Sequence, residues 1–181
     1  MPLRQRREFY IQMVGKTHLA VGLATGIGAC IAGNLPPLTG VMVIAECGLG
    51  SLLPDIDQRN SIISKKVKPV GAVVSAVAGH RTIFHDPLLY LVLGLAAWKT
   101  IPAYMSHVIS LLIGVVTHLF LDALNPTGIP ILGFRLHLCN IHTGSSKDLF
   151  LGTMFRFIAR FGLIFWAFRY LYQVFTGRMA L

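Results

Sequence analysis

Long apolar runs parted by short polar connections restrict what this chain can fold into more than any other feature. A bilayer offers no water to backbone N–H and C=O groups, so each run must satisfy its own hydrogen bonds, and a helix does that within one segment. The composition agrees. Of 181 residues 54% are hydrophobic and 13% charged, about half the charged share of an ordinary soluble domain. The expected fold is all-α: a polytopic membrane bundle of about five spanning helices plus one short re-entrant or interfacial helix. The chain reads as a single domain over 1–181, with 1–12 as an N-terminal extension if Met13 is the natural start.

Helices are expected at 17–33 and 38–53, parted by Pro36-Pro37, and then at 87–98, 103–124 and 148–175. The apolar piece 69–79 has 11 residues, about 16 Å of helix, which is too short to cross. Read as re-entrant, it returns His80 to the side it left. The basic start (Arg4, Arg6, Arg7, Lys16) before Leu19–Ala32 outlines a signal peptide. The run continues past Asn34-Leu35-Pro36-Pro37 into a second helix, so it is read as a retained first helix.

The net charge of +9 could suggest a nucleic-acid partner. These charges sit in connections rather than on a soluble face, and no nucleic acid is expected. With the N-terminus inside, all but Lys99, Arg169 and Arg178 of the 16 Lys and Arg residues fall on the cytoplasmic side. That asymmetry predicts a multi-pass protein of the inner (plasma) membrane with a cytoplasmic N-terminus. Phe165, Trp166, Tyr170, Tyr172 and Phe175 would anchor the far interface. Cys30, Cys47 and Cys139 form no CxxC pair and suggest neither disulfides nor a thiolate metal site.

This topology gathers polar residues at one membrane level. His18 enters the first helix, Asp55 and Asp57 follow the second, His80, Arg81 and His85 follow the short piece, and His118 and Asp122 end the returning helix. Each has an ordinary reading: an interfacial His, an Asx turn after Pro54, a buried His–Asp pair, a basic loop residue. Yet ionisable groups at membrane depth are costly and tend to be functional. Imidazole with carboxylate suits zinc first, with iron or manganese as alternatives. His118 and Asp122 stand one turn apart on one helix face, able to share a metal or to act as ligand and orienter. His107 falls near the opposite side and is set aside; His137 and His142 are weaker candidates. Thr143-Gly144-Ser145-Ser146 could hold an anion, although a cap for the last helix is the simpler reading.

The same residues resemble a known family, the LexA-regulated inner-membrane metal-dependent hydrolases of the YdjM type. The marks are Thr17-His18, Leu53-Pro54-Asp55-Ile56-Asp57 with Ser61 downstream, His80-Arg81 with His85, and His118-x3-Asp122 leading into Asn125-Pro126-Thr127-Gly128-Ile129-Pro130. They cover about Met13 to Asp148. Two departures stand out: Thr82-Ile83-Phe84 and Asp86 replace the usual Gly-Phe-Thr and Ser, and Asp148 stands where relatives often carry Glu. The order of ligands is also similar, more distantly, to the zinc-dependent phospholipase C and S1/P1 nuclease group.

The resemblance implies metal-dependent hydrolysis. Seven groups (His18, Asp55, Asp57, His80, His85, His118, Asp122) exceed one tetrahedral zinc, so one or two divalent ions are expected. Asp57 is the expected general base and Arg81 the clamp for an anionic substrate. The depth of the site favours a membrane lipid or lipid-linked phosphoester. The rival readings are a non-enzymatic membrane metal carrier, which needs access from both faces, and a scaffold with a structural metal.

Overall fold

The computed structural model describes residues 3–57, 83–142 and 144–177, with the side chains of 15–56, 83–142 and 144–177. Among these the chain forms five α-helices: α1 (Leu3–Gly33), α2 (Pro37–Gly50), α3 (Pro87–Thr100), α4 (Met105–Ala123) and α5 (Ser146–Phe175). The helix at 69–79 lies outside the described residues.

Local chemistry sets most of the boundaries. α1 ends where Asn34 turns to φ 51° and Leu35 N–H reaches back to Cys30 O at 3.0 Å, the bond that closes a Schellman cap. Pro37 then opens α2 at its first position, where a missing N–H costs nothing. α2 ends at Gly50, short of the expected 53, because Ser51 caps it and Pro54 disfavours helix before itself. α3 starts at Pro87 behind an Asp86 cap whose carboxylate accepts from Leu88 N–H at 2.9 Å. α1 begins at Leu3, well before the expected 17, since Gly15 alone is too weak a breaker to stop it.

Close backbone approach builds the bundle. A Cβ at Gly114 of α4 would collide with Cys47 O and meet Ser51 N at 2.8 Å, and one at Gly50 would collide with Leu111 O. On the α1 side, a Cβ at Gly26 would lie 2.9 Å from Ile44 Cα. Small residues let helices touch where lipid supplies no hydrophobic drive to press them together. Cys47 uses the same closeness, donating its thiol to Ser110 O at 3.2 Å. These contacts pair 47 with 110, 50 with 111 and 51 with 114, so α2 and α4 run in the same direction. α5 packs along α1, with Gly152 against Thr17 and Gly162 against Ile27. At its far end Trp166 Nε1 donates to Leu35 O at 3.2 Å and Arg169 to Ile31 O at 2.8 Å, satisfying carbonyls beyond and within the last turn of α1.

One feature departs from an all-α fold. Ile129–Ile131 (β1) and Phe134–Leu136 (β2) pair antiparallel, with Ile131 opposite Phe134. The two-residue turn has Leu132 at φ 50° and Gly133 at φ 84°, the primed conformation that suits strand twist. Ile129 anchors the hairpin in a cluster with Tyr90, Val115, Leu119 and Ala123.

Two helices, Pro102–Ala123 (including α4) and α5, are long and apolar enough to cross a membrane. α2 and α3 have 14 residues each, about 21 Å, less than the ~30 Å hydrocarbon core. Five full crossings are therefore not shown by length. Leu91, Val92 and Trp98 of α3 and Phe157, Phe161, Ile164 and Phe168 of α5 face outward, as a lipid-facing surface would.

Candidate metal centre

The ends of α2 and α4, the start of α3 and the His18 turn of α1 meet at one end of the bundle. His118 sits at its middle with 0% of its surface exposed. Its Nδ1 donates to Ser51 O at 2.7 Å, an acceptor freed because α2 has just ended. That bond fixes the tautomer, turning the Nε2 lone pair toward the carboxylates. Nε2 lies 3.3 Å from Asp122 Oδ2 and 3.8 Å from Asp55 Oδ1 and makes no hydrogen bond of sound geometry among the described residues.

The other groups close around it. His18 Nε2 is 3.2 Å from Asp122 Oδ1, and its ring centroid is 4.0 Å from that of His118. His85 Nε2 is 3.3 Å from Asp122 Oδ2 and 3.7 Å from Asp55 Oδ1. Tyr90, one turn into α3, holds the His85 turn by donating its hydroxyl to Phe84 O at 2.9 Å. Asp55 is delivered by a 3₁₀ turn, Leu53–Asp57, whose N–H at 55 bonds back to Leu52 O at 3.2 Å. Burial pushes the His85 imidazole down, but the carboxylates of Asp122 and Asp55 outweigh it and raise its pKa to about 9. Burial likewise pushes Asp55 up, and the imidazoles of His85, His118 and His18 hold it below its ordinary value.

The donor chemistry fits a metal. His18, His118 and Asp122 form one group with ligand atoms within 4.8 Å of one another, and Asp55, His85 and His118 form a second. Three imidazoles and two carboxylates from four segments thus share one buried point, with His118 common to both groups. An unmet imidazole nitrogen buried among carboxylates is expensive unless a proton or cation answers it. A water-sized cavity of about 20 Å³ adjoins His18, bounded also by Thr17, Asn125 and Asp148.

Five of the seven residues expected as ligands are thereby together. His80 and Arg81 lie outside the described residues, as do Ser61 and the side chain of Asp57. Thr143 lies outside them too. Its neighbours cap α5: Ser145 Oγ accepts from Asp148 N–H at 3.4 Å, the N-cap bond, and Asp148 Oδ2 accepts from Gly144 N–H, one residue before the cap, at 2.8 Å. His137 and His142 are exposed and belong to neither ligand group. Sequence reasoning missed Ser51, whose contribution is a backbone carbonyl that no side-chain pattern marks. It also missed the pairing of His107 Nδ1 with Glu46 Oε1 at 2.6 Å, legible only as two ionisable residues inside neighbouring apolar helices. His107 precedes His118 by eleven residues, about 16 Å of helix rise, and stays apart from the centre.

A largely helical, membrane-type bundle closed at one end by buried His and Asp residues is the class that fold and site define. The chain matches the family described as YdjM inner membrane protein over residues 13–179, and it belongs to that family. The inner membrane is accordingly its location. It is 34% identical to YvsG of Bacillus subtilis, described as uncharacterized, over 92% of this chain and 99% of that one. It is 24% identical to the inner membrane protein YdjM of Escherichia coli, over 77% of each chain. No solved structure matches it.

Proposed function

We propose that this protein is a membrane-bound, metal-dependent hydrolase of phosphoesters, lipid-linked ones first. In this reading its helices pass the inner membrane repeatedly, with N-terminus and metal centre on the cytoplasmic side. The observation that carries the proposal is the convergence of His18, Asp55, His85, His118 and Asp122 on one buried point.

The residues divide the work by chemistry. His118, locked by Ser51 O, offers Nε2; His18 and His85 offer further imidazoles; Asp55 and Asp122 supply the negative charge that holds a cation. Five donors in two groups sharing His118 suit one ion or two. A divalent metal held there, zinc first and iron or manganese next, would polarise a phosphoryl oxygen and bring the pKa of bound water to about 7. Asp57, two residues beyond Asp55, is the proposed general base. Arg81 is the proposed clamp, its planar fork matched to phosphate.

The test is hydrolysis of a phosphodiester panel, from bis-p-nitrophenyl phosphate to phospholipids, by zinc-replete protein in detergent. Activity should vanish on chelation and return with zinc. Arg81→Lys should keep the metal and lose about 1.5–3 kcal/mol of charge-assisted binding, roughly 10- to 150-fold in rate. Metal-replete protein that cleaves nothing on the panel, or Arg81→Lys that equals the wild type, would contradict the reading. The Glu46–His107 pair favours a second reading, a membrane metal carrier, because it adds a polar station along α2 and α4. A carrier would instead load zinc into sealed vesicles without hydrolysis.

A further inference from the structure

Beside the metal centre runs a groove of about 560 Å³ between the first turns of α3 and the β-hairpin, a size typical of small-molecule pockets. It starts at Ile83 and Asp86, on either side of His85. Leu88, Leu89 and Val92 form one wall, and Pro130 and Phe134 the other. Of its charged residues, Asp86 is committed to capping α3, and Arg135, which donates one guanidinium N–H to Thr127 O at 3.0 Å, is the positive group at the rim.

We propose that this groove seats a hydrocarbon chain of a membrane lipid, with the lipid phosphate against Arg135 and directed toward His85. The direction toward His85 rests on the hydrolase reading; the seating of a lipid does not. Three observations favour lipid over a soluble ligand or a protein segment. Leu132 and Phe134 at the hairpin tip are 70% and 81% exposed, and Leu132 accepts a left-handed backbone to present itself there. Such a tip is unfavourable in water and favourable in lipid. Secondly, the α3 wall of the groove continues along the helix into the outward-facing Leu91, Leu93, Leu95 and Trp98, an apolar surface suited to lipid. Thirdly, an apolar trough with one arginine at its rim matches an anionic headgroup on an apolar tail.

The experiment uses the full chain, zinc-replete, in vesicles of phosphatidylethanolamine and phosphatidylglycerol. A trace of phosphatidic acid carrying a diazirine in one acyl chain is photolysed, the labelled residues are mapped, and zinc is counted in the same sample. Label should concentrate on Leu88, Leu89, Val92 and Phe134 over Phe161 and Phe168 of α5, which also face outward. Val92→Trp, at an outward position, should abolish label at Leu88 and Leu89 with zinc unchanged. Phe134→Ser removes a wall at a residue too exposed to carry the fold, and should cause the same loss. The proposal is overturned if groove and α5 label equally, if neither variant changes the pattern, or if photolysis joins two copies of the chain through the groove. A labelled groove in a protein without zinc or hydrolysis would uphold the lipid seat and sink the hydrolase reading. The reverse pattern would do the opposite.

Discussion

His118 does two jobs at once, and its neighbours explain both. The Nδ1 bond to Ser51 O orients it, and the paired carboxylates make its other nitrogen useful. His85 gives the clearest pH signature. Its pKa is raised from 6.5 to about 9, so binding a metal through this imidazole must expel a proton throughout that interval. Zinc affinity should therefore rise as pH rises from 6.5 toward 9, by up to about tenfold per unit for one proton. Calorimetry in two buffers of different ionisation heat would report the released proton, and His85→Asn should flatten the slope. In the metal-free protein the sign reverses for stability. The contribution of His85 is whole below 6.5 and is lost as pH climbs through about 9, so the melting temperature should fall across that window. A flat profile in the metal-free wild type would contradict the assignment. The His-x3-Asp spacing and the residues around Pro54 were legible in the sequence because they are local and chemically distinctive. Ser51 was not, because any residue ending α2 there would present the same carbonyl.

The helices were legible as elements, within a few residues at most ends, because apolar runs and prolines speak locally. The contacts between them were not. Nothing in a single run says that Gly114 must face Cys47 and Ser51, or that Glu46 meets His107 sixty-one residues on. The hairpin was missed because three-residue strands carry almost no periodicity, although Leu132-Gly133 between apolar triplets is a two-residue turn in form. The packing claim is testable at Gly114. Gly114→Val must push into the backbone of α2 and should destabilise by about 1–3 kcal/mol, the usual cost of overpacking. Because Ser51 sits at that contact, zinc should be lost as well. Gly28→Ala, whose new Cβ meets nothing within 4 Å, should be neutral or slightly stabilising. Thermal unfolding in one detergent compares the pair; equal stability would show that the close approach of α2 and α4 is not required.

For the whole molecule, the family and the outward apolar faces agree on a membrane protein, and basic residues propose its orientation. An introduced Arg59→Cys, in the connection between α2 and α3, should react with a membrane-impermeant thiol reagent only after the cytoplasmic side is opened. Labelling in intact cells from outside would invert the topology and place the centre on the other face. The claim on which everything else depends is that five residues from four segments hold a metal. It is tested most directly by counting metal in protein purified from zinc-replete cells without chelator. The account predicts one or two divalent ions per chain in the wild type and loss of most of them in His118→Ala, with the helical content of both alike. A well-folded wild type that carries no metal would contradict it.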